Sequence, residues 1–478
     1  MDLKSETNQC YSELTYIKEF IHTFMWIKLI SSIGFLTVVL SASAFGLESA
    51  DLGATGSLNQ TELPEVSQSL IKLADQAMIY VEENGKVLAL EEFNNESGQF
   101  VEGDQYVIAF DFNGTCLAQP FRPELVEESQ VGGRDVNGIL IGNNSNNVAS
   151  RGEGFCYWVN PNVQQNNTPM LKLSYIEKVD DDWWLSSGAW LPEVPAVFNV
   201  ESRLALVNLV DRAFAYAQEN GKENALEAFN DANGDFVNGD YYVYALDFNG
   251  TVLANPILPE RVGKNRSEEP DLYGALYVSD LIDAAKAGTG LLYYTYPEPE
   301  NNMIPALKLS HVRAVDDDWL LGSGIYVKEA EQVEDGTPSS YKPPVTKEEL
   351  VAFVESTASY ARVYGKDIAT RDFMDLDGPF VRGDVYIFAA DFNGTSLALP
   401  FLPSEVGTNR LDIQNSEGVY INREMRSIAL NGSGFFDYVW TNPITNQTEP
   451  KTSYVTKVDE EWYLGAGIYL SDEGTSAT

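Results

Sequence analysis

The pentapeptide DFNGT occurs at Asp111–Thr115, Asp247–Thr251 and Asp391–Thr395, at intervals of 136 and 144 residues. Asn-Gly between apolar runs predicts a tight hairpin, because both residues tolerate positive φ. Two further sets keep nearly the same period: "FVEGD" (100–104), "FVNGD" (236–240) and "FVRGD" (380–384), then "VDDDWWLSSGAW" (179–190), "VDDDWLLGSGIY" (315–326) and "VDEEWYLGAGIY" (458–469). Self-similarity at a long fixed period means tandem domains. The chain is therefore confined to three copies of one unit, near 66–193, 202–329 and 347–473. A segment over 45–65 precedes the first. The Pro- and Ser-rich stretch "EDGTPSSYKPP" (334–344) marks a linker over 330–346.

Each unit opens with a helical pattern. In the second, Leu206, Leu209, Val210, Ala213 and Phe214 form one stripe of period 3.6. Two strands then flank the Asn-Gly turn, and a connector leads to three more, such as "GLLYYTY", "ALKLSHVRAV" and "WLLGSGIYV". The order predicts an α+β unit, a long N-terminal helix packed on a five-stranded antiparallel sheet.

Charge and the N-terminus bear on compartment. With 31 basic and 71 acidic residues the formal charge is −40, which disfavours nucleic acid and anionic lipid as partners. Lys28, an apolar run Leu29–Leu40 and Ala42-Ser43-Ala44 read as a secretory signal peptide, with residues 1–44 as the leader. The run is shorter than a spanning helix needs, and an uncleaved N-terminal anchor, the one route to a membrane, is the alternative. The expectation is an extracellular or cell-surface protein. Asn-x-Ser/Thr sites, three of them inside DFNGT, make a glycoprotein reading available.

Catalysis and cofactors are not expected. The chain has two histidines, His22 and His311, and no Ser-His-Asp set, zinc-ligand spacing or phosphate loop. "DANGD" (231–235) opens like a calcium loop, but Phe236 and Tyr242 stand where glycine and glutamate belong, so it reads as a polar turn. The VDDDW acids read as a solvated hairpin tip. Strand parity gives a stronger lead. One face of each first strand carries Tyr106/Ile108/Phe110, Tyr242/Tyr244/Leu246 or Tyr386/Phe388/Ala390, a set that suits either a pocket or plain core. The opposite, smaller residues suit the helix. Lys172, Lys308 and Lys451 recur at the start of the fourth strand, and Arg266 and Arg410 lie 17 residues beyond Asn249 and Asn393. A Lys and an Arg beside aromatics suit a carboxylate; a surface ion pair is the plainer use.

The stretches "FVNGDYYVYALDFNGTVLANP", "VGKN", "PALKLSHV" and "DDDWLLGSGIYV" resemble the Cache family, single-Cache type 2, over most of all three units. The resemblance implies three tandem PAS-like domains that sense small extracytoplasmic molecules, with strand order 2-1-5-4-3 and a pocket between sheet and connector. Carried onto this chain, it assigns Tyr242, Tyr244, Arg266, Tyr294, Tyr296 and Lys308 in the second unit, and Tyr386, Phe388, Arg410, Tyr438, Trp440 and Lys451 in the third. The first unit matches loosely at Tyr106, Trp158 and Lys172, with Gln130 in place of the arginine and Trp190 in place of the final Tyr. That departure implies lost or altered binding there. The implied strand order also sets Cys116 and Cys156 at opposite sheet edges, roughly 19 Å apart, which predicts two free thiols. The function implied is binding of a small organic ligand, a carboxylate above all, with output through a membrane-bound signalling partner. The rivals are a structural surface protein using the units as rigid beads and, if the N-terminal segment stays uncleaved, a membrane-anchored receptor ectodomain.

Overall fold

A computed structural model describes residues 63–162, 165–327 and 341–470. The signal-peptide segment Met25–Gly46 and most of the 330–346 linker lie outside the described residues. The first unit contains α1 (Glu65–Phe93), β1 (Gln105–Asp111), β2 (Cys116–Ala118), α2 (Ile141–Ser150), β3 (Glu153–Asn162), β4 (Thr168–Lys178) and β5 (Trp183–Trp190). The second repeats this as α3 (Val200–Asn230), β6 (Tyr244–Asp247), β7 (Val252–Ala254), α4 (Tyr277–Lys286), β8 (Thr289–Glu298), β9 (Ile304–Ala314) and β10 (Trp319–Tyr326). The third has α5 (Lys347–Tyr364), α6 (Lys366–Phe373), β11 (Phe388–Asp391), β12 (Ser396–Ala398), α7 (Ile421–Leu430), β13 (Ser433–Thr441), β14 (Thr448–Lys457) and β15 (Trp462–Tyr469). The sheets run β2-β1-β5-β4-β3, β7-β6-β10-β9-β8 and β12-β11-β15-β14-β13, antiparallel throughout.

Local chemistry explains each repeated motif. In DFNGT the aspartate Oδ1 accepts the threonine N–H at 2.7 Å in all three copies, and the glycines sit at φ +83°, +90° and +92°. A Cβ on Gly114 would lie 2.7 Å from Val131 Cγ2, so the turn also needs glycine for space. In VDDDW the first aspartate accepts the tryptophan Nε1–H, at 3.1, 3.1 and 2.9 Å from Asp180, Asp316 and Asp459. The remaining acids of that tip are exposed.

The N-terminal helix is not straight. It breaks at Gly85, Gly221 and Gly365, with φ near +80° and ψ near +165°, a backbone region open essentially to glycine alone. In the third unit the break separates α5 from α6. Strand parity holds: Val107, Ala109, Val243, Ala245, Ile387 and Ala389 join the core under the helix, and the aromatic faces turn to α2, α4 and α7. Cys116 on β2 and Cys156 on β3 are free and buried at opposite edges, and burial pushes the Cys116 thiol up to about 11.

The first two units pair reciprocally. Tyr157 on β3 donates to Asp271 Oδ2 at 2.6 Å, and Tyr293 on β8 donates to Asp135 Oδ2 at 2.8 Å. Each aspartate also gathers its own connector, Asp135 through the N–H groups of Asn137, Ile139 and Val159, and Asp271 through those of Tyr273, Gly274, Ala275 and Thr295. The third unit has Asn415 and an exposed Asp437 at these positions, so its corresponding face is polar. It attaches through α5 and α6 instead. The buried Arg203 of α3 donates to Asp372 Oδ2 at 2.9 Å, and Tyr360 adds a hydrogen bond of 2.6 Å to the same oxygen.

Candidate functional site

The largest of the three sheet-side cavities lies in the first unit, at about 150 Å³. The register sets Lys172 opposite Trp158 on β3 and Trp190 on β5. Its side chain is 3 % exposed, and its ammonium lies 3.7 Å from the Tyr106 ring centroid and 5.2 Å from that of Trp190. A Cβ on Gly188 would stand 2.5 Å from Lys172 Cε, so that glycine gives the lysine its passage. The corresponding distances are 2.2 Å for Gly324 and Lys308, and 2.6 Å for Gly467 and Lys451. This contact is the reason for the glycine in each closing strand, and the sequence signals it only as an aligned Gly and Lys. Phe121 packs edge-on against Tyr106 at 4.9 Å. Two buried polar atoms of lining residues, Gln119 Oε1 and Trp158 Nε1, have no partner. Lys172 forms no ion pair with the described residues; Asp104 and Arg122 also line the cavity, and Arg122 is paired with Glu124 at 3.1 Å.

In the second unit the same space is filled. Tyr242, Tyr244, Tyr294 and Tyr296 line a cavity of only about 30 Å³. Where the first unit has Ile108, Ile141 and Asn160, this one has Tyr244, Tyr277 and Tyr296. Tyr277 stacks on Tyr294 at 4.9 Å and meets Tyr296 edge-on at 5.7 Å. Lys308 and Arg266, both expected in a pocket, do not line it. Lys308 is wholly buried and donates to Tyr242 Oη at 2.8 Å. Arg266 pairs with Glu269 at 3.3 Å, the plainer use of an arginine. Arg261 is the residue sequence reasoning missed: it pairs with Glu269 at 3.0 Å and donates to Tyr277 Oη at 3.0 Å.

The third unit is intermediate, with about 50 Å³ lined by Tyr386, Phe388, Arg410, Tyr438 and Trp440. Arg410 reaches the cavity but bonds Glu405 at 2.5 Å. Lys451 lies behind it, 3.3 Å from Tyr469 Oη. A cavity needs roughly 10–15 Å³ of this kind per water molecule, so the second unit has room for about two or three waters and the first for a small organic molecule. The first unit, where the sequence implies lost or altered binding, is therefore the one with the most space. Its smaller residues leave the space.

Burial depresses the Lys308 and Lys451 pKa values to about 7. An unfolded lysine titrates near 10.4, so between about pH 7 and 10 the unfolded chain binds protons the folded chain lacks. Stability then rises with pH across that window, and each lysine contributes a slope of up to about 1.4 kcal/mol per pH unit. Lys308→Met should flatten part of this rise in denaturant titrations at pH 7, 8 and 9. An unchanged slope would contradict the depressed pKa.

Two family profiles match: Cache domain over residues 95–331, and Single Cache domain 2 over 371–476. The chain contains Cache domains. The single-Cache match falls in the third unit, while one continuous match spans the first two, in place of the three single-Cache copies expected. The sensor histidine kinase MctS of Rhizobium johnstonii is 35% identical over 89 residues, covering 18% of this chain and 19% of the kinase. Among solved structures, a methyl-accepting chemotaxis protein from Vibrio parahaemolyticus is 25% identical, covering 26% of this chain and 89% of its own, at TM-score 0.24. The ligand-binding domain of the Pseudomonas aeruginosa amino acid chemoreceptor PctB, in complex with L-Gln, is 14% identical, covering 57% and 85%, at TM-score 0.18. Cache domains are extracytoplasmic sensor domains. No helix among the described residues is long and apolar enough to cross a membrane.

Proposed function

We propose that the protein senses a small organic carboxylate in its first unit, without catalysis, and that the second unit is a rigid spacer. The observation that carries this is the contrast between Lys172 and Lys308. Lys172 is a buried lysine facing a cavity of about 150 Å³, with no anion among the described residues paired to it. A carboxylate there would gain a charge-assisted hydrogen bond in a site of low polarity. Trp158 Nε1 offers a second donor and Gln119 Oε1 an acceptor for a hydroxyl or ammonium on the same ligand. The aromatic walls would cover its apolar body. Lys308 instead spends its proton on Tyr242, inside a closed tyrosine cluster. That favours the structural role for the second unit in particular. The third unit, with its smaller cavity and Glu405-bound arginine, is a weaker site of the same kind. Three Cache units, export by the N-terminal signal and output to a membrane-bound signalling protein complete the proposal.

The test is thermal unfolding of the chain with a panel of small carboxylates, hydroxy acids and amino acids. A ligand of the folded state at 100 times its Kd contributes about 2.7 kcal/mol. At least one compound should raise the melting temperature, and Lys172→Ala should remove the shift while Lys308→Ala leaves it. A panel without effect, or a shift that survives Lys172→Ala, would sink the reading.

A further inference from the structure

A second cavity, of about 310 Å³, lies where the three units meet. The first unit contributes the stretch from Arg134 to Asn147, the second contributes Asp283 to Leu291, and the third contributes Arg362 and Val363. Both arginines are held by carbonyls alone. Arg134 Nη1 donates to Gly138 O at 2.6 Å and, across the unit boundary, to Val363 O at 3.0 Å. Its Nε would be 2.7 Å from a Cβ on Gly365, so the helix break in the third unit is also what lets Arg134 in. Arg362 donates Nε to Val458 O at 3.0 Å and Nη2 to Lys457 O at 2.8 Å.

Neither guanidinium has a carboxylate partner among the described residues, in a chain of 71 acidic and 31 basic residues. Desolvation outweighs the nearby Asp135 at Arg134 and lowers its pKa, as befits a charge that protein anions leave uncompensated. On α2, Asn143 and Asn147 line the same space, and neither side-chain amide has a partner among the described residues. The one carboxylate on the wall, Asp283, is already taken by Arg151 and by Lys286, the latter at 3.2 Å. Donors without acceptors therefore face the cavity from two units.

We propose that this junction binds a small multivalent oxyanion, a phosphate- or polycarboxylate-bearing solute, held by Arg134, Arg362, Asn143 and Asn147. Guanidinium groups satisfied on one edge keep the other edge for a bidentate oxyanion contact. The cavity exceeds a bare phosphate and accommodates a substituted one. Such an occupant is held by the first and third units across a wall of the second, so it binds their assembled arrangement and not the separated pieces. The site is distinct from the sensing cavity on the far side of α2, though Asn146 lines both.

The test uses the full chain in low-millimolar sodium phosphate, sulfate or citrate, against sodium chloride of equal ionic strength. At these concentrations general exclusion effects of the oxyanions are negligible. At least one oxyanion should raise the melting temperature saturably by about 2 °C or more, since one-site binding adds RT ln(1 + [L]/Kd). Asn147→Asp should remove the rise without lowering stability in chloride, and Arg362→Gln, which also gives up its two hydrogen bonds to Lys457 O and Val458 O, should remove the rise from a lower melting temperature in chloride. A response to citrate alone assigns a polycarboxylate; a response to phosphate or sulfate assigns a phosphoryl-type ligand. Equal melting in all four salts, or an oxyanion rise that both variants retain, overturns the proposal.

Discussion

Asp372→Ala is expected to destabilise the chain by about 3–5 kcal/mol, because it strips a buried cation of its only carboxylate partner among the described residues. Arg203 and Asp372 are 2 % and 5 % exposed, and they join the second unit to the third. Nε and Nη1 of Arg203 already lack partners, so the guanidinium has no alternative acceptor once the carboxylate is gone. Tyr360 Oη, which donates to the same carboxylate, loses its acceptor as well. The Tyr360 and Tyr364 rings, 5.6 and 5.0 Å from the guanidinium, retain a cation–π contact worth about 0.5–2 kcal/mol, well short of the ion pair. Urea titration with probes in the second and third units should show an early transition of the third unit. A loss below about 1 kcal/mol would mean that water reaches Arg203 and that this pair behaves as a surface one.

The second large effect concerns the sensing cavity. Ile108→Tyr combined with Asn160→Tyr writes the second unit's solution into the first, and it should abolish the ligand-induced melting shift while leaving Lys172 untouched. The tyrosines at the corresponding positions, Tyr244 and Tyr296, are accommodated by the same backbone beside the same lysine position. Filling a void this large should not bring the overpacking penalty of about 1–3 kcal/mol that a tight core exacts. The double variant is therefore expected to melt no lower than the parent and to bind at least tenfold more weakly. A retained ligand shift would place binding outside this cavity.

These two sites show where sequence reasoning reaches its limit. The hairpin at DFNGT, the alternation of aromatic and small faces, and the placing of Lys172, Lys308 and Lys451 are local or periodic facts, legible from spacing. So was the separation of Cys116 from Cys156, once the strand order was in hand. The helix breaks were written in the sequence as Gly85, Gly221 and Gly365, but a continuous apolar stripe hid them. A glycine inside a helical pattern signals its positive φ only when the backbone is seen.

The cavity was not legible. Its volume is a sum over side chains from segments far apart, Ile108 on β1, Ile141 on α2 and Asn160 on β3, and no one of them marks the first unit as open. The first unit's departures from the family pattern pointed the other way. The unit boundaries gave no hint of their fastenings either, because Asp135 and Tyr293 are 158 residues apart, and Arg203 and Asp372 are 169. By itself the sequence determined what each strand and turn does, since those depend on neighbours in the chain. Tertiary structure decided which unit is hollow and how the three are joined, since those depend on atoms that meet only after folding.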